Sequence, residues 1–264
     1  MKFTTRILAA ASLAVILVLA MGCGSSSKNP TGPGLGSESA LDSLLNDRWV
    51  NPGGSQAFVG RAPALHGAAA FAILAGATVT NTGLSVVTGN LGVGPGSSVT
   101  GFPPGILNGV LHVADPTTVQ AMLDLTAAYN DLAGRTLAPV SVAGNLGGTT
   151  LRPGLYKSTS SLSISSGDLT LDGQGQSNGV FIFQIASALT TTAGRKVILI
   201  GGAKAANIFW QVGSSATIGT TSTFNGSILA DQSITLNTGA TLNGRALARI
   251  GGVTLDATSV VIPN

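Results

Sequence analysis

Short hydroxyl side chains recur at matching positions of a repeated β-strand pattern in the second half of this chain. Each of these strands carries apolar residues at alternate positions, with Ser or Thr between them. The central hydroxyl residues are Ser163, Thr190, Thr217, Thr235 and Thr254. Neighbouring strands of a sheet lie about 4.8 Å apart, and β-branched Thr has few rotamers. Such a row would therefore hold hydroxyl and methyl groups at regular, fixed positions that can order water.

The surroundings of this row are almost uncharged. Thr192 and Ser233 add hydroxyl groups beside it, and the only charged residue nearby, Asp256, lies at its end. A surface selected only for solubility would instead carry Lys and Glu. Thr is also a common strand residue, so β-propensity alone is the alternative explanation of the row.

Composition excludes several classes of protein. Only 9% of the 264 residues are charged, against about 25% in ordinary soluble domains. The formal net charge is +3, and two of the 13 basic residues, Lys2 and Arg6, lie in a segment that we expect to be removed. No basic run is present, so we expect no binding to nucleic acid.

Internal repeats predict the architecture. Residues 222–230 match residues 240–248 at a shift of 18, and residues 234–237 recur as 253–256 at a shift of 19. Repeats of this length, with short β-branched strands and Gly or Asn turns, are typical of a β-solenoid, in which the core forms only between stacked coils.

Three strands in each coil predict a triangular cross-section with alternate residues directed inward. The first column contains residues 180–185, 207–212, 227–230 and 245–248. The second contains residues 162–164, 188–192, 216–219, 233–237 and 253–256. The third contains residues 169–172, 197–200, 222–225, 240–243 and 259–262.

One long helix is predicted at residues 116–134. Asp115 suits its N-cap and Pro116 its first position, and Gly134 ends the pattern. Its apolar side is predicted from the spacing of Val119, Met122, Leu123 and Leu132. The first column is apolar on both sides of its strands, so it needs a cover. We expect the helix to pack along it, spanning roughly 28 Å.

The N-terminus has the pattern of an export signal. A basic start is followed by the uncharged apolar run from Ile7 to Leu19 and then by small residues before Cys23, the only cysteine. This arrangement resembles a bacterial lipoprotein signal, which predicts a signal peptide at 1–22 and lipidation of Cys23. An ordinary secretory signal is the alternative. Gly24 follows the cysteine, in place of the Asp that is associated with inner-membrane retention of such lipoproteins. We therefore expect an exported lipoprotein of the outer membrane or cell surface, in either anchored or released form.

A linker separates this signal from the solenoid. Residues 23–39 are rich in Gly, Ser, Pro and Asn, which predicts a flexible tether. Residues 40–64 are interpreted as a short helical or irregular spacer, because Leu41, Leu44 and Leu45 fall on one side of a helix from Ser39 to Trp49. The pattern does not decide between a spacer and a cap for the solenoid.

Residues for catalysis are not grouped in the way that an enzyme requires. Asp168 and Asp172 flank one strand and are interpreted as turn residues, and His66 and His112 lie far apart beside apolar neighbours. No spacing typical of a metal site, a nucleophile motif or a phosphate loop is present. We therefore predict a non-enzymatic protein without cofactor or metal.

Several segments, in order, resemble the microbial ice-binding proteins. They are residues 71–83, 89–96, 99–105, 127–130, 151–156, 180–184, 209–212 and 243–248. The resemblance covers about residues 65–264 and implies a mainly β fold, a right-handed discontinuous triangular β-solenoid with one helix alongside. It also implies adsorption to ice crystals through a flat β-face, with thermal hysteresis and inhibition of recrystallisation. We expect a monomer.

Two strand columns remain candidates for the face that contacts ice. Some family members carry a Thr-Ala/Gly-x-Thr/Asn pattern, which here matches Thr238 to Thr241, at the turn into the third column. Outward Thr170, Thr223 and Thr241 form a rival row there, which Ile198 and Val260 are expected to interrupt. The second column is the preferred prediction. A surface-anchored adhesin or polysaccharide-binding solenoid is the alternative function.

Overall fold

The computed structural model describes residues 60–263. The predicted signal peptide (1–22), the lipidation site Cys23, the tether (23–39) and most of the spacer (40–64) lie outside the described residues. The described end of the spacer, residues 60–64, forms neither helix nor strand.

Within residues 60–263 the chain forms strands β1 to β25, numbered along the sequence, one α-helix and two short 3₁₀ helices, His66–Ala70 and Ala205–Asn207. All strand pairs are parallel, and they build three sides of a prism. We name the sides the first, second and third faces.

The first face is a nine-stranded sheet. In spatial order it contains β7 (Leu111–Val113), β4 (Asn90–Val93), β1 (Phe71–Ala75), β23 (Ala246–Ala248), β20 (Ser227–Ala230), β17 (Ile208–Val212), β14 (Phe181–Ile185), β11 (Gly154–Ser158) and β8 (Val140–Ser141).

The second face is an eight-stranded sheet. In the same direction it contains β5 (Ser98–Thr100), β2 (Thr78–Thr82), β24 (Val253–Asp256), β21 (Ile234–Leu236), β18 (Ala216–Ile218), β15 (Leu189–Thr191), β12 (Leu162–Ile164) and β9 (Gly144–Asn145).

The third face consists of a five-stranded and a three-stranded sheet joined by a bridge between Lys196 and Thr223. The larger sheet contains β6 (Ile106–Asn108), β3 (Val86–Thr88), β25 (Ser259–Val261), β22 (Thr241–Asn243) and β19 (Thr223–Asn225). The smaller contains β16 (Val197–Ile200), β13 (Leu169–Asp172) and β10 (Thr150–Leu151).

The solenoid is discontinuous in sequence. Strands β1, β2 and β3 pair with β23, β24 and β25, so the first coil of the described chain stacks on the last one. A second N-terminal coil, β4 to β6, continues the stack outward. The three predicted strand columns are confirmed, and the fold is a discontinuous three-sided β-solenoid with a helix alongside.

The interior of the prism is a continuous apolar core. The core includes a stack of aromatic rings, in which the centroids of Phe183 and Trp210 lie 3.8 Å apart and those of Tyr156 and Phe183 lie 5.2 Å apart. The indole nitrogen of Trp210 donates a hydrogen bond of 3.1 Å to the carbonyl of Asn225. Because each layer covers the next, the core exists only in the assembled stack.

Helix α1 (Pro116–Gly134) lies along the first face, as predicted. The N-cap carboxylate of Asp115 accepts a 2.7 Å hydrogen bond from the backbone of Thr118. This bond, assisted by the contact with His112, lowers the pKa of Asp115 to about 2. At the other end, the buried side chain of Gln184 donates to the carbonyls of Leu132 and Arg135, at 2.7 and 2.8 Å. The sheet therefore satisfies helix carbonyls that would otherwise lack partners.

The packing side of the helix differs from the predicted one. Leu132 is buried as expected, but Val119 and Leu123 are 53% and 60% exposed. The buried side is formed by Thr118, Ala121, Leu125, Ala128, Tyr129 and Leu132. Large side chains of the sheet already fill the interface, among them Phe209, so small Ala residues on the helix allow close approach. The orientation of the helix therefore depends on side-chain size, which the spacing of apolar residues does not take into account.

Leu125→Ala tests this orientation against Leu123→Ala on the same helix. Leu125 is fully buried in the cluster between helix and sheet, so its truncation should lower the free energy of unfolding by about 2 to 5 kcal/mol. The same change at exposed Leu123 should stay within about 0.5 kcal/mol. Denaturant unfolding followed by circular dichroism measures both; equal losses would contradict the assigned packing side.

Candidate functional site

Outward side chains of the second face form one unbroken row across all eight strands. The pairing register places each of these residues beside the next one. In spatial order the central row is Thr100, Thr80, Thr254, Thr235, Thr217, Thr190, Ser163 and Asn145. Six consecutive members are Thr. At about 4.8 Å per strand, the row is about 34 Å long.

Strict alternation of burial keeps this face flat. In β2, Thr78, Thr80 and Thr82 are exposed, whereas Val79 and Asn81 between them are buried. Strands β21 and β24 of the same face alternate in the same way. Inward residues fix each strand to the core, so the outward Thr side chains stand on a rigid base.

Hydroxyl groups beside the central row link one coil to the next. Ser215 accepts a 3.3 Å hydrogen bond from the backbone N–H of Ser233, and Ser233 in turn accepts a 3.2 Å bond from Gly252. Ser161 accepts a 3.3 Å bond from Ala188. These serines strengthen the stack at the edge of the face.

The Thr hydroxyls of the central row are different. Within residues 60–263, outward hydroxyls at the margins of this face form hydrogen bonds, such as the 3.2 Å bond that Thr192 donates to the Ser165 carbonyl. In the central row, Ser163 donates a 3.4 Å bond to the Gly144 carbonyl. None of these bonds involves a central Thr hydroxyl. These groups are therefore available to water along most of the row.

The second face also lacks large apolar and charged groups. None of the large hydrophobic side chains exposed in residues 60–263 belongs to its strands. Asp256 is the one charged residue of these strands, and its carboxylate accepts a hydrogen bond from Thr238. The surface thus presents hydroxyl and methyl groups on a rigid lattice.

The third face is less regular. Thr223 pairs with Thr241 in register, but the exposed positions of this face also include Ile106, Ile198, Ile200 and Val261. The expectation that Val260 interrupts the outward row is wrong. Val260 is fully buried, because the alternation in β25 directs it inward and leaves Ser259 beside Thr241.

Polar groups elsewhere serve the fold. Asp168 accepts a hydrogen bond from the backbone of Lys196, at 2.9 Å, and Asp172 accepts one from Gln174, at 2.8 Å. His112 contacts Asp115 at 2.7 Å. In the described part of the chain, no group of three or more His, Cys, Asp or Glu residues could hold a metal ion. No helix of that part combines the length and hydrophobicity that a membrane span requires.

Comparison with known sequences and structures identifies the family. The sequence profile described as ice-binding-like matches residues 73–261. The chain belongs to the ice-binding-like family. It is 49% identical over 191 residues to an ice-binding protein of Nostoc sp. (strain HG1), covering 72% of this chain and 70% of the relative. An ice-binding protein of Flavobacterium frigoris (strain PS1) is 39% identical over 211 residues, covering 74% and 75%.

Solved structures of this ice-binding-like fold agree with the solenoid. An ice-binding protein from an Antarctic biological consortium superposes with a TM-score of 0.78 at 55% identity, covering 82% of this chain and 97% of that one. The ice-binding protein of the ascomycete Antarctomyces psychrotrophicus gives a TM-score of 0.74 at 41% identity, covering 77% and 100%.

Seven of the predicted site residues of this ice-binding-like chain lie together on the second face. They are Ser163, Thr190, Thr192, Thr217, Ser233, Thr235 and Thr254. Thr223 and Thr241 lie on the third face instead. Thr238 lies in the turn between the two faces, where Gly239 adopts a positive φ of 69°. The Thr238–Thr241 motif therefore bends around a corner and does not form a flat pair.

Sequence reasoning missed the N-terminal part of the row. Thr78, Thr80 and Thr82 on β2, with Ser98 and Thr100 on β5, extend the second face by two strands. The alternation of Thr with Val and Asn in residues 78–82 is a visible signal of a strand with one polar side. It does not reveal which C-terminal strand lies beside it.

Proposed function

We propose that this chain adsorbs to ice crystals through the second face, which gives it antifreeze activity and inhibits ice recrystallisation. The observation that supports this most strongly is the row of six consecutive Thr residues, whose hydroxyls form no hydrogen bond within residues 60–263. The ice-binding names of its relatives support the same conclusion.

Adsorption of this kind rests on many weak contacts made at once. Each Thr offers one hydroxyl and one methyl, and β-branching limits rotation of its side chain. Parallel pairing fixes the distance between neighbours, so little conformational entropy is lost when the surface is engaged. Rigidity of the whole face therefore matters more than any single residue, and the function involves no covalent step.

A polysaccharide-binding solenoid is not supported. Sugar-binding surfaces commonly expose aromatic rings, because such rings combine an apolar face with a polar rim. Trp210 and Phe183 are fully buried in the core, and Phe209 lies under the helix at 2% exposure. The strands of the second face contain no aromatic residue.

We propose further that lipidation of Cys23 anchors the exported chain at a cell surface. The Arg135 guanidinium at the C-terminal end of α1 donates to the carbonyl of Arg61, so the start of the described chain lies on the helix side of the prism. The second face belongs to another side. An anchored monomer would attach the cell to ice through its Thr row.

Thr235→Tyr tests the assignment of the face. The bulky ring should prevent close approach of a flat crystal at the middle of the row and abolish most of the thermal hysteresis. Thr241→Tyr, on the third face, is the matched control and should retain it. The gap between freezing and melting temperatures, measured by nanolitre osmometry, gives the readout.

Circular dichroism should show both variants folded. Full hysteresis of folded Thr235→Tyr, together with its loss in Thr241→Tyr, would place the ice contact on the third face.

Cys23→Ala tests the anchor. Without the thiol no lipid can be attached, so cells expressing the variant should incorporate no labelled fatty acid into this chain, whereas cells expressing the wild type should. Hysteresis of the two purified solenoids should be equal, because Cys23 precedes the solenoid. Equal fatty-acid labelling of variant and wild type would contradict lipid anchoring at this residue.

A further inference from the structure

One end of the solenoid exposes residues that belong, by their orientation, to the core. This end is formed by β8, β9 and β10, beyond which no described coil follows. Val140 pairs with inward-facing Tyr156 and therefore points to the interior, yet it is 51% exposed. Leu137 beside it is 55% exposed. We name this end, residues 137–151, the β8 end.

The described chain begins beside the β8 end. Arg61 is held by Arg135 at the end of α1, and Arg135 precedes Leu137 by two residues. Between Trp49 and Gly60 there are 11 peptide steps, which span up to about 36 Å when extended. This linker is therefore long enough for the apolar segment 40–50 to reach the β8 end.

Charge also favours this contact. Arg152 follows the β8 end directly, and Lys157 on β11 pairs with Ser141 of β8. Both are exposed, and neither forms a salt bridge with another described residue. Segment 40–50 carries Asp42 and Asp47 against a single basic residue, Arg48. The segment therefore combines leucines with a net negative charge, and the β8 end combines exposed apolar residues with basic neighbours.

The opposite end of the solenoid provides an internal comparison. There β7 exposes Leu111 and Val113, at 47% and 38%. It lies at the N-terminal end of α1, a helix length of roughly 28 Å away from Arg135. Both ends expose apolar side chains, but only the β8 end lies near the start of the described chain.

We propose that residues 40–50 form a cap that covers the β8 end. The leucines at 41, 44 and 45 pack on Leu137 and Val140, and the cap protects the free backbone groups of β8 to β10 from water and from pairing with other chains. The cap thereby stabilises the terminal coil on which the far end of the second face rests.

Hydrogen exchange followed by mass spectrometry tests the cap on the purified exported chain. The double variant Leu44→Asp/Leu45→Asp should exchange backbone amides of residues 140–151 at least about tenfold faster than the wild type. Residues 111–113 at the opposite end should not change. Ser43→Asp/Asn46→Asp adds the same charge on the other side of the predicted helix and should leave exchange at both ends unchanged.

Three results would overturn the proposal. Unchanged exchange in the leucine variant would show that the β8 end is not covered by this segment. Equal acceleration in both double variants would attribute the effect to charge alone. Protection that rises with protein concentration and persists in the leucine variant would identify a second copy as the cover.

A cysteine pair provides a measurement that does not depend on the stability of the aspartate variant. In a Cys23→Ala background, Leu44→Cys with Leu137→Cys should form a disulfide on mild oxidation, whereas Ser43→Cys with Leu137→Cys should not. Absence of the first disulfide in the folded protein would contradict the cap.

Discussion

Parallel hydrogen bonds between successive coils hold equivalent residues of neighbouring strands about 4.8 Å apart. On the second face this pairing continues through eight strands without a change of register, so one position of the repeat becomes one row on the surface. The interior follows the same rule, because rings such as Phe183 and Trp210 stack in adjacent layers. A shift of one residue in any strand would turn its Thr inward and its apolar residues outward.

The three faces share this backbone but differ in what covers their outer side. The first face is apolar outside as well as inside, and helix α1 shields it from water. The third face mixes Thr with exposed isoleucines such as Ile198. The second face alone combines exposed hydroxyls, methyls and rigidity over its whole length, and this combination is what contact with an ordered crystal of water requires. Helix α1 lies on the first face and so covers none of the second.

Much of this arrangement could be predicted from the sequence. Short repeats with alternating apolar residues fix the three columns, because each strand must direct its large side chains into one narrow core. Asp115 and Pro116 locate the start of the helix, since both act locally. Contacts between distant segments were harder to predict. The pairing of β2 with β24 joins residues more than 170 positions apart, and only the family resemblance indicated that N-terminal strands join the C-terminal coils. The buried side of the helix depended on the sheet beneath it, so Val119 and Leu123 were misplaced.

We propose that the second face acts as one continuous ice-binding surface built from separate parts of the chain. Thr80 is the sharpest test of this proposal, because it lies on β2, far in sequence from the C-terminal repeats, yet beside Thr254 in the row. The measurement is the freezing–melting gap of Thr80→Tyr by nanolitre osmometry, with folding verified by circular dichroism. We expect most of the wild-type gap to be lost. A full gap in the folded variant would contradict a continuous face that includes the N-terminal coils.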